Sequence, residues 1–219
     1  MGCILSNDGW SIDKNQQESI QWFTKASERH HVESINQLGL MMIEGKIIPK
    51  NTEEGMKMIS KCAHQGLADS QFHLGYVLYN GCDSIKINWK ESFEWIEKAS
   101  QQGHEKALAF LVIMMKFSQG IEMDEETRIK QSHLLAKQVI PTVKQESQQG
   151  DSFFQNIHGL MLEHGIIVEQ DYKQSIEWFL KAAQQGQIEA CYNMNSVSES
   201  QKEELYKLMA RNNLILERW

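Results

Sequence analysis

A motif of tryptophan followed by a Lys-Ala pair recurs along this chain, and its period constrains the fold more than any other feature. The clear copies are Trp22-Phe23-Thr24-Lys25-Ala26, Trp95-Ile96-Glu97-Lys98-Ala99 and Trp178-Phe179-Leu180-Lys181-Ala182. Four Gln-Gly pairs accompany the motif, and their glycines are separated by 37, 47 and 36 residues: Gly66, Gly103, Gly150 and Gly186. Self-similarity with a period of roughly 20–50 residues is typical of solenoid proteins. The sequence therefore predicts an array of stacked repeats.

A second recurring pattern lies between these motifs. It consists of a small residue, a Leu-Gly pair and a further glycine, as in Ser70, Leu74-Gly75 and Gly81. We expect one helix from about Asp69 to Tyr79, and we expect Gly81 to end it, because helices often end in a residue with positive φ. A glycine inside a helix costs about 1 kcal/mol relative to alanine, so a recurrent one indicates close helix–helix approach.

A second helix per repeat is predicted to follow a capping side chain and to end at the Gln-Gly pair. The best copy predicts a helix over Tyr172 to Gln184. The candidate N-caps carry the amide or carboxylate oxygens that accept backbone N–H bonds at helix starts. They are Asn51, Asn88 and Asp171.

These patterns predict an all-α fold, a right-handed α/α solenoid (superhelix) of stacked antiparallel helix pairs. The chain of 219 residues has only two prolines, which suits helices. We predict a single repeat domain over 1–219, because neighbouring repeats share their core. Its parts are a half repeat or N-terminal cap (1–30), repeats 31–66, 67–103, 104–150 with an insertion and 151–186, and a degenerate repeat with a C-terminal capping helix (187–219).

The insertion makes one repeat longer than the others. Gly120 and Gly150 lie 30 residues apart, where Gly45 and Gly66, like Gly165 and Gly186, lie 21 apart. Asp124-Glu125-Glu126 is typical of a helix start, where the helix dipole favours acidic side chains. We expect a long helix that breaks or kinks near Val139, before Pro141, and then a short segment. Insertions often lie on a binding face; a local packing irregularity explains this one equally well.

The repeats resemble the Sel1-like repeat family, relatives of the tetratricopeptide repeat. The order Gly165, Asp171, Trp178, Lys181-Ala182-Ala183, Gly186 matches its pattern closely, and the resemblance runs from Met1 to about Asn195. It implies an α/α solenoid that serves as an adaptor in multiprotein assemblies and is not catalytic in most members. We therefore expect a non-catalytic scaffold without a cofactor that binds a protein partner.

The candidate partner-binding residues lie on the first helices, which generally line the concave face of such an array. They occupy equivalent positions of successive repeats, and their aromatic and apolar bias suits a peptide or helix bound in a groove. An equally good interpretation is that many of them pack between helices. The residues are Gln37, His73, Phe110 and Ile157 and, three positions on, Leu40, Tyr76, Ile113 and Leu160.

Composition argues against two classes of partner. A net charge of −7 offers no basic face for nucleic acid, and it disfavours binding to an anionic membrane through charge alone. The longest apolar run, 108–115, is far shorter than the roughly 20 residues of a membrane span. The four cysteines show no CxxC pairing, so we expect reduced thiols and a cytoplasmic protein.

Two alternatives remain open at this point. Met1-Gly2-Cys3-Ile4-Leu5-Ser6 has the form of an N-myristoylation signal with a second acylation site, which predicts a lipid-anchored adaptor. However, Met1-Gly2 also falls where the repeat places a Leu-Gly pair, so a half repeat explains it too. A hydrolase-like enzyme is the other alternative, although the sequence has no GxSxG, HExxH or zinc-ligand spacing. We expect no catalytic or metal-binding residues and interpret the histidines as structural or solvated.

Overall fold

The computed structural model describes residues 14–29, 31–45, 48–82 and 85–195, and this part of the chain folds into ten α-helices without a β-strand. An isolated bridge joins Cys82 to Ile85. The predicted all-α fold of helix pairs is confirmed. The helices are α1 Lys14–Glu28, α2 Val32–Glu44, α3 Thr52–His64, α4 Ala68–Asn80, α5 Trp89–Gln101, α6 Glu105–Phe117, α7 Glu125–Gln149, α8 Ser152–Glu163, α9 Tyr172–Gln184 and α10 Ile188–Asn195.

The helices belong to two compact units. The first comprises residues 1–114 and 118–122 and so contains α1 to α5 and most of α6. The second comprises residues 115–117 and 123–219 and contains α7 to α10. The grouping of all repeats into one domain stays a prediction. The candidate acylation site at Gly2 and Cys3 and the predicted C-terminal capping helix lie outside the described residues.

The predicted helix boundaries agree closely with the structure. Helix α9 has the predicted bounds, and α4 extends one residue beyond the prediction at each end. The side-chain oxygens of Asn51, Asn88 and Asp171 accept the backbone N–H three residues on, at 3.1, 3.2 and 2.9 Å. Gly81 has φ +68°, as expected of a residue that ends a helix. The three predicted N-caps are therefore confirmed.

The glycine of the Leu-Gly pair lets the two helices of a repeat approach closely. A Cβ atom on Gly75 would lie 2.8 Å from Cγ1 of Ile96 and 3.0 Å from the Ser92 carbonyl oxygen. The Ser92 hydroxyl in turn donates a 2.6 Å hydrogen bond to the Gly75 carbonyl. In the second unit, a Cβ on Gly159 would lie 2.5 Å from the Phe179 ring. The predicted close approach is confirmed in both units.

Each unit has its own apolar core. In the first unit Ile59, Ala63, Leu74, Leu78 and Trp95 form a buried cluster that joins α3, α4 and α5. In the second unit α7, α8 and α9 contribute fully buried side chains. Burying a side chain of this size stabilises the fold by about 1.5–3 kcal/mol. The second-unit residues are Val143, Ile157, Met161, Ile176 and Phe179.

The glutamine of the Gln-Gly pair links one repeat to the preceding one. Gln102 Nε2 donates to the Gly66 carbonyl at 3.1 Å and to Gln71 Oε1 at 2.7 Å. Gln71 Nε2 donates to the Ala63 carbonyl at 3.2 Å, so both glutamines bond to the end of the preceding repeat. Gln71 is buried, and a buried amide needs hydrogen-bond partners, one of which the exposed Gln102 supplies. The second unit repeats the arrangement with Gln185, Gln155 and the Ser147 carbonyl.

Helix α7 differs from its prediction. It begins after Asp124, whose carboxylate accepts the Thr127 N–H at 2.9 Å, so the predicted acidic helix start is confirmed. The helix then continues through Pro141 to Gln149, so it does not break near Val139 and no separate short segment follows; the kink that was the other expectation stays a prediction. Pro141 has no backbone N–H, so the helix loses one hydrogen bond there. Its ring is exposed to solvent, so it does not disturb the packing of the buried side of the helix. The buried residues Ala136, Val139 and Val143 on either side of the proline hold the helix together.

Candidate functional site

The eight predicted partner-binding residues lie on the first helices of their repeats, but the structure divides them by accessibility. Phe110, Ile113, Ile157 and Leu160 are only 5%, 2%, 1% and 9% exposed. Their side chains pack inside the protein and are not available to a partner in this structure. For these four residues, the alternative interpretation of packing between helices describes the geometry.

The other four residues are half-buried and belong to the first unit. Gln37 and Leu40 lie on α2, and His73 and Tyr76 occupy the equivalent positions on α4. We call these four residues the α2/α4 face. A contact of 3.3 Å between Asn36 Nδ2 and His73 Nδ1 ties the two helices together beside it. Asn36 and His73 are 37 residues apart, which is close to the repeat period, so they lie at nearly equivalent positions of neighbouring repeats. This spacing could have predicted their contact, but it was not used for that purpose.

Aromatic packing holds Tyr76 in place. Its ring lies 5.6 Å from that of Phe72 and 5.1 Å, edge to face, from that of Phe110. Tyr79 covers Phe110 from another side at 4.8 Å and donates its hydroxyl to Gln119. Aromatic pairs of this kind contribute about 0.5–1.5 kcal/mol each beyond their buried area. Tyr76 is therefore a preorganised, partly accessible ring.

His73 in this face and His104 beside it are held neutral. Burial, opposed by Asp69 and assisted by His104 and Lys106, lowers the pKa of His73 to about 4. Burial also lowers the pKa of His104. His104 Nδ1 accepts the Ala107 N–H at 3.1 Å, so the neutral ring carries its proton on Nε2, 3.2 Å from Asp69 Oδ1. The α2/α4 face consequently presents neutral polar and apolar groups at physiological pH.

Three Ser–His pairs among the described residues are poorly arranged for nucleophilic catalysis. In one of them Ser60 Oγ lies 3.4 Å from His64 Nδ1, but that nitrogen lies closer, at 2.7 Å, to the Ser60 carbonyl oxygen, to which it can only donate. Ser147 Oγ lies 3.0 Å from His158 Nδ1, but both residues are buried and the His158 ring stacks on Trp178. His31 Nδ1 lies 2.9 Å from Ser34 Oγ and 3.5 Å from a Glu33 carboxylate oxygen. A relay needs the carboxylate and the nucleophile on opposite ring nitrogens, so this group does not form a triad.

The described ranges hold neither a metal-binding cluster nor a membrane-spanning helix. No cluster of three or more His, Cys, Asp or Glu side chains within them has a geometry that could hold a metal ion. Within the same ranges, every helix is too short or too polar to cross a bilayer.

A family model of known repeat proteins matches most of the repeats in this chain. The Sel1 repeat model matches residues 1–31, 32–67, 68–104 and 153–187, which is more than half of the chain. The unmatched stretch 105–152 contains the insertion and the whole of α7. Chitin synthase regulatory factor 3 of Schizosaccharomyces pombe is 32% identical over 91 residues, which are 41% of this chain and 10% of that protein.

Solved structures support the same assignment. A protective antigen of uropathogenic Escherichia coli with an SLR fold is 25% identical, with a TM-score of 0.51 over 91% of this chain and 44% of the antigen. A Sel1 repeat protein from Oxalobacter formigenes is 20% identical, with a TM-score of 0.52 over 94% of this chain and 83% of that protein. At 20% identity, the similarity to the Oxalobacter formigenes protein supports the fold and nothing beyond it. This chain spans less than half of the antigen and a tenth of the curated relative.

Proposed function

The chain belongs to the Sel1 repeat family, and from this premise we propose that it is a non-catalytic scaffold that binds a partner protein through the α2/α4 face. Proteins of this family are generally interaction scaffolds rather than enzymes. The name of the curated relative describes a regulatory factor of an enzyme, which agrees with action through binding. We propose that this protein acts in the cytoplasm as an adaptor.

The observation that carries the proposal is the combination of accessibility and rigidity at Tyr76. Aromatic rings that are fixed before binding lose little conformational entropy, and tyrosine is among the side chains that contribute most to interface energies. Leu40 supplies an apolar contact at the equivalent position of the neighbouring first helix. The face therefore suits a peptide or helix with an apolar side and no dense charge.

A pull-down from the native cell tests this proposal. We expect Tyr76→Ala to weaken partner binding by about 2 kcal/mol, or roughly thirtyfold, as for a residue central to an interface. Tyr172→Ala is the matched control, because Tyr172 is 42% exposed and lies in the second unit. Unchanged recovery with a folded Tyr76→Ala protein, or equal losses for both variants, would contradict the assignment.

A further inference from the structure

Helix α10 exposes a position of the repeat that the other repeats bury. The position lies three residues before the glycine of the Leu-Gly pair, and in the repeats that keep this glycine its occupants are only 1%, 4% and 4% exposed. On α10 Tyr192 occupies the position and is 59% exposed. Ile188, four residues earlier on the same side of the helix, is 51% exposed. We call Ile188 and Tyr192 the Tyr192 face. The buried occupants are Asn36, Phe72 and Asn156.

Contacts within each unit show what covers this position. The Phe72 ring stacks on that of His104, which directly precedes the first helix of the next repeat, at 4.8 Å. Asn193 Nδ2, on the first helix of the last described repeat, donates to Asn156 Oδ1 at 2.8 Å. The contact of Asn36 with α4 is of the same kind. The position is therefore covered by the start or the body of the following first helix, and within the described residues no helix follows α10.

Helix α1 exposes the recurring tryptophan. Trp22 is 70% exposed, whereas Trp95 at the equivalent position of α5 is 8% exposed and Trp178 of α9 is half-buried. Trp95 packs on the second helix of the preceding repeat, because its ring meets His64 of α3 edge to face at 4.9 Å. No described side chain of α1 is buried. We call Trp22 and its surroundings on α1 the Trp22 face. Its equivalent in the next repeats is covered from the N-terminal side of the array.

The two faces are complementary in kind. A terminal repeat that faces solvent needs a polar outer side, yet these two faces present a tryptophan, a tyrosine and an isoleucine. The contacts of the equivalent positions show that a following repeat fits the Tyr192 face and that a preceding repeat fits the Trp22 face. A second copy of this chain offers a repeat of each kind. One copy alone therefore carries both halves of a junction between repeats.

From these contacts we propose that copies of this protein associate head to tail, with the Tyr192 face of one copy and the Trp22 face of the next buried at one shared junction. Because the two faces differ, the contact is heterologous, and further copies can add to form a ring or a filament. Such an assembly displays several α2/α4 faces, which raises the avidity for a multivalent partner. This consequence rests on the proposed function, whereas the association itself does not.

Sedimentation velocity of the full-length chain tests the association. We expect the wild-type protein to form species whose size increases with concentration. Trp22→Lys and Tyr192→Lys each place a charge in one face and should weaken association at least about tenfold. Leu134→Lys is the matched control, because Leu134 on α7 is also 70% exposed, and it should leave association unchanged. Since all three side chains are exposed, the variants should fold, and circular dichroism checks this.

Mixing the two variants tests the head-to-tail arrangement. The Trp22→Lys protein keeps its Tyr192 face and the Tyr192→Lys protein keeps its Trp22 face, so an equimolar mixture should form a dimer and no larger species. A wild-type protein that stays monomeric at about 0.1 mM would overturn the proposal. So would folded variants that associate like the wild type, or a mixture that forms no dimer. None of these outcomes changes partner recovery with Tyr76→Ala, so a failure here leaves the proposed function standing.

Discussion

Helices α4 and α8 have the same position in their repeats, yet they differ in how much of their surface is accessible. In α8 every residue from Phe153 to Glu163 is buried. In α4 the buried residues alternate with half-buried ones, including His73, Tyr76 and Val77. The repeat motif therefore specifies how the two helices of a repeat pack, but not whether the other side of the first helix is exposed. This difference is why the candidate partner surface lies in the first unit.

The two helices also differ in how they contact the recurring tryptophan. His158 of α8 occupies the position of Leu74 in α4, and its ring stacks on Trp178 at 4.9 Å. In the first unit, Trp95 instead meets His64 of α3 edge to face, also at 4.9 Å. The polar ring of His158 in the second unit thus takes the place of the apolar side chain of Leu74 in the core of the first unit.

The largest loss of stability is expected from the core of the second unit. Phe179 is fully buried beneath Gly159, so Phe179→Ala should lower the free energy of unfolding by about 3–5 kcal/mol. Urea denaturation followed by circular dichroism measures this change. Phe117→Ala is the matched control, because Phe117 is 41% exposed and should cost about 1 kcal/mol or less. Equal losses for the two variants would contradict the proposed packing of α8 on α9.

Acid should destabilise the protein, and His158 should account for part of the effect. Burial, assisted by Lys144 and Lys181, lowers the pKa of His158 from 6.5 to about 4. The unfolded chain therefore takes up this proton first, and stability falls as pH decreases from 6.5 to 4, by at most about 3 kcal/mol for this residue. His158→Leu, which installs the residue found at position 74, should reduce the acid-induced loss. An unchanged pH dependence of unfolding in this variant would refute the assignment.

Adding a methyl group at the helix crossing should distinguish the two units. A Cβ at Gly159 meets the rigid ring of Phe179, whereas a Cβ at Gly75 meets chiefly the more adaptable side chain of Ile96. We expect Gly159→Ala to destabilise the protein by about 1–3 kcal/mol and Gly75→Ala to cost less. Thermal unfolding of both variants measures the order. The reverse order would show that α4 and α5 pack more rigidly than α8 and α9.

The smallest effect concerns the glutamine links between repeats. Gln102 donates to Gly66 and Gln71, so Gln102→Ala should cost about 1 kcal/mol, in the usual range for hydrogen bonds. Gln185→Ala should cost less, because the contact of Gln185 with Lys181 is long, at 3.4 Å, beside the 2.8 Å bond to Gln155. Chemical denaturation of both variants tests the order. No measurable loss for Gln102→Ala would remove the proposed role of the Gln-Gly pair.

Local sequence signals predicted the elements well. A capping side chain and a following glycine are short-range features, which is why the bounds of α9 and the caps at Asn51 and Asn88 were predictable. Accessibility depends on neighbours that are distant in sequence. Tyr76 and Tyr79 cover Phe110, and the position in the repeat alone does not reveal this. The same reason explains why the continuity of α7 through Pro141 escaped prediction.

Site-specific photo-crosslinking tests the central proposal, a partner bound at the α2/α4 face, most directly. A photoreactive phenylalanine analogue replaces Tyr76 in one protein and Tyr172 in another, and each protein is irradiated in extract from its native cell. The account predicts a discrete adduct with a partner protein from position 76 and none from position 172. Adducts of the same mass from both positions, or an adduct from position 172 alone, would contradict it.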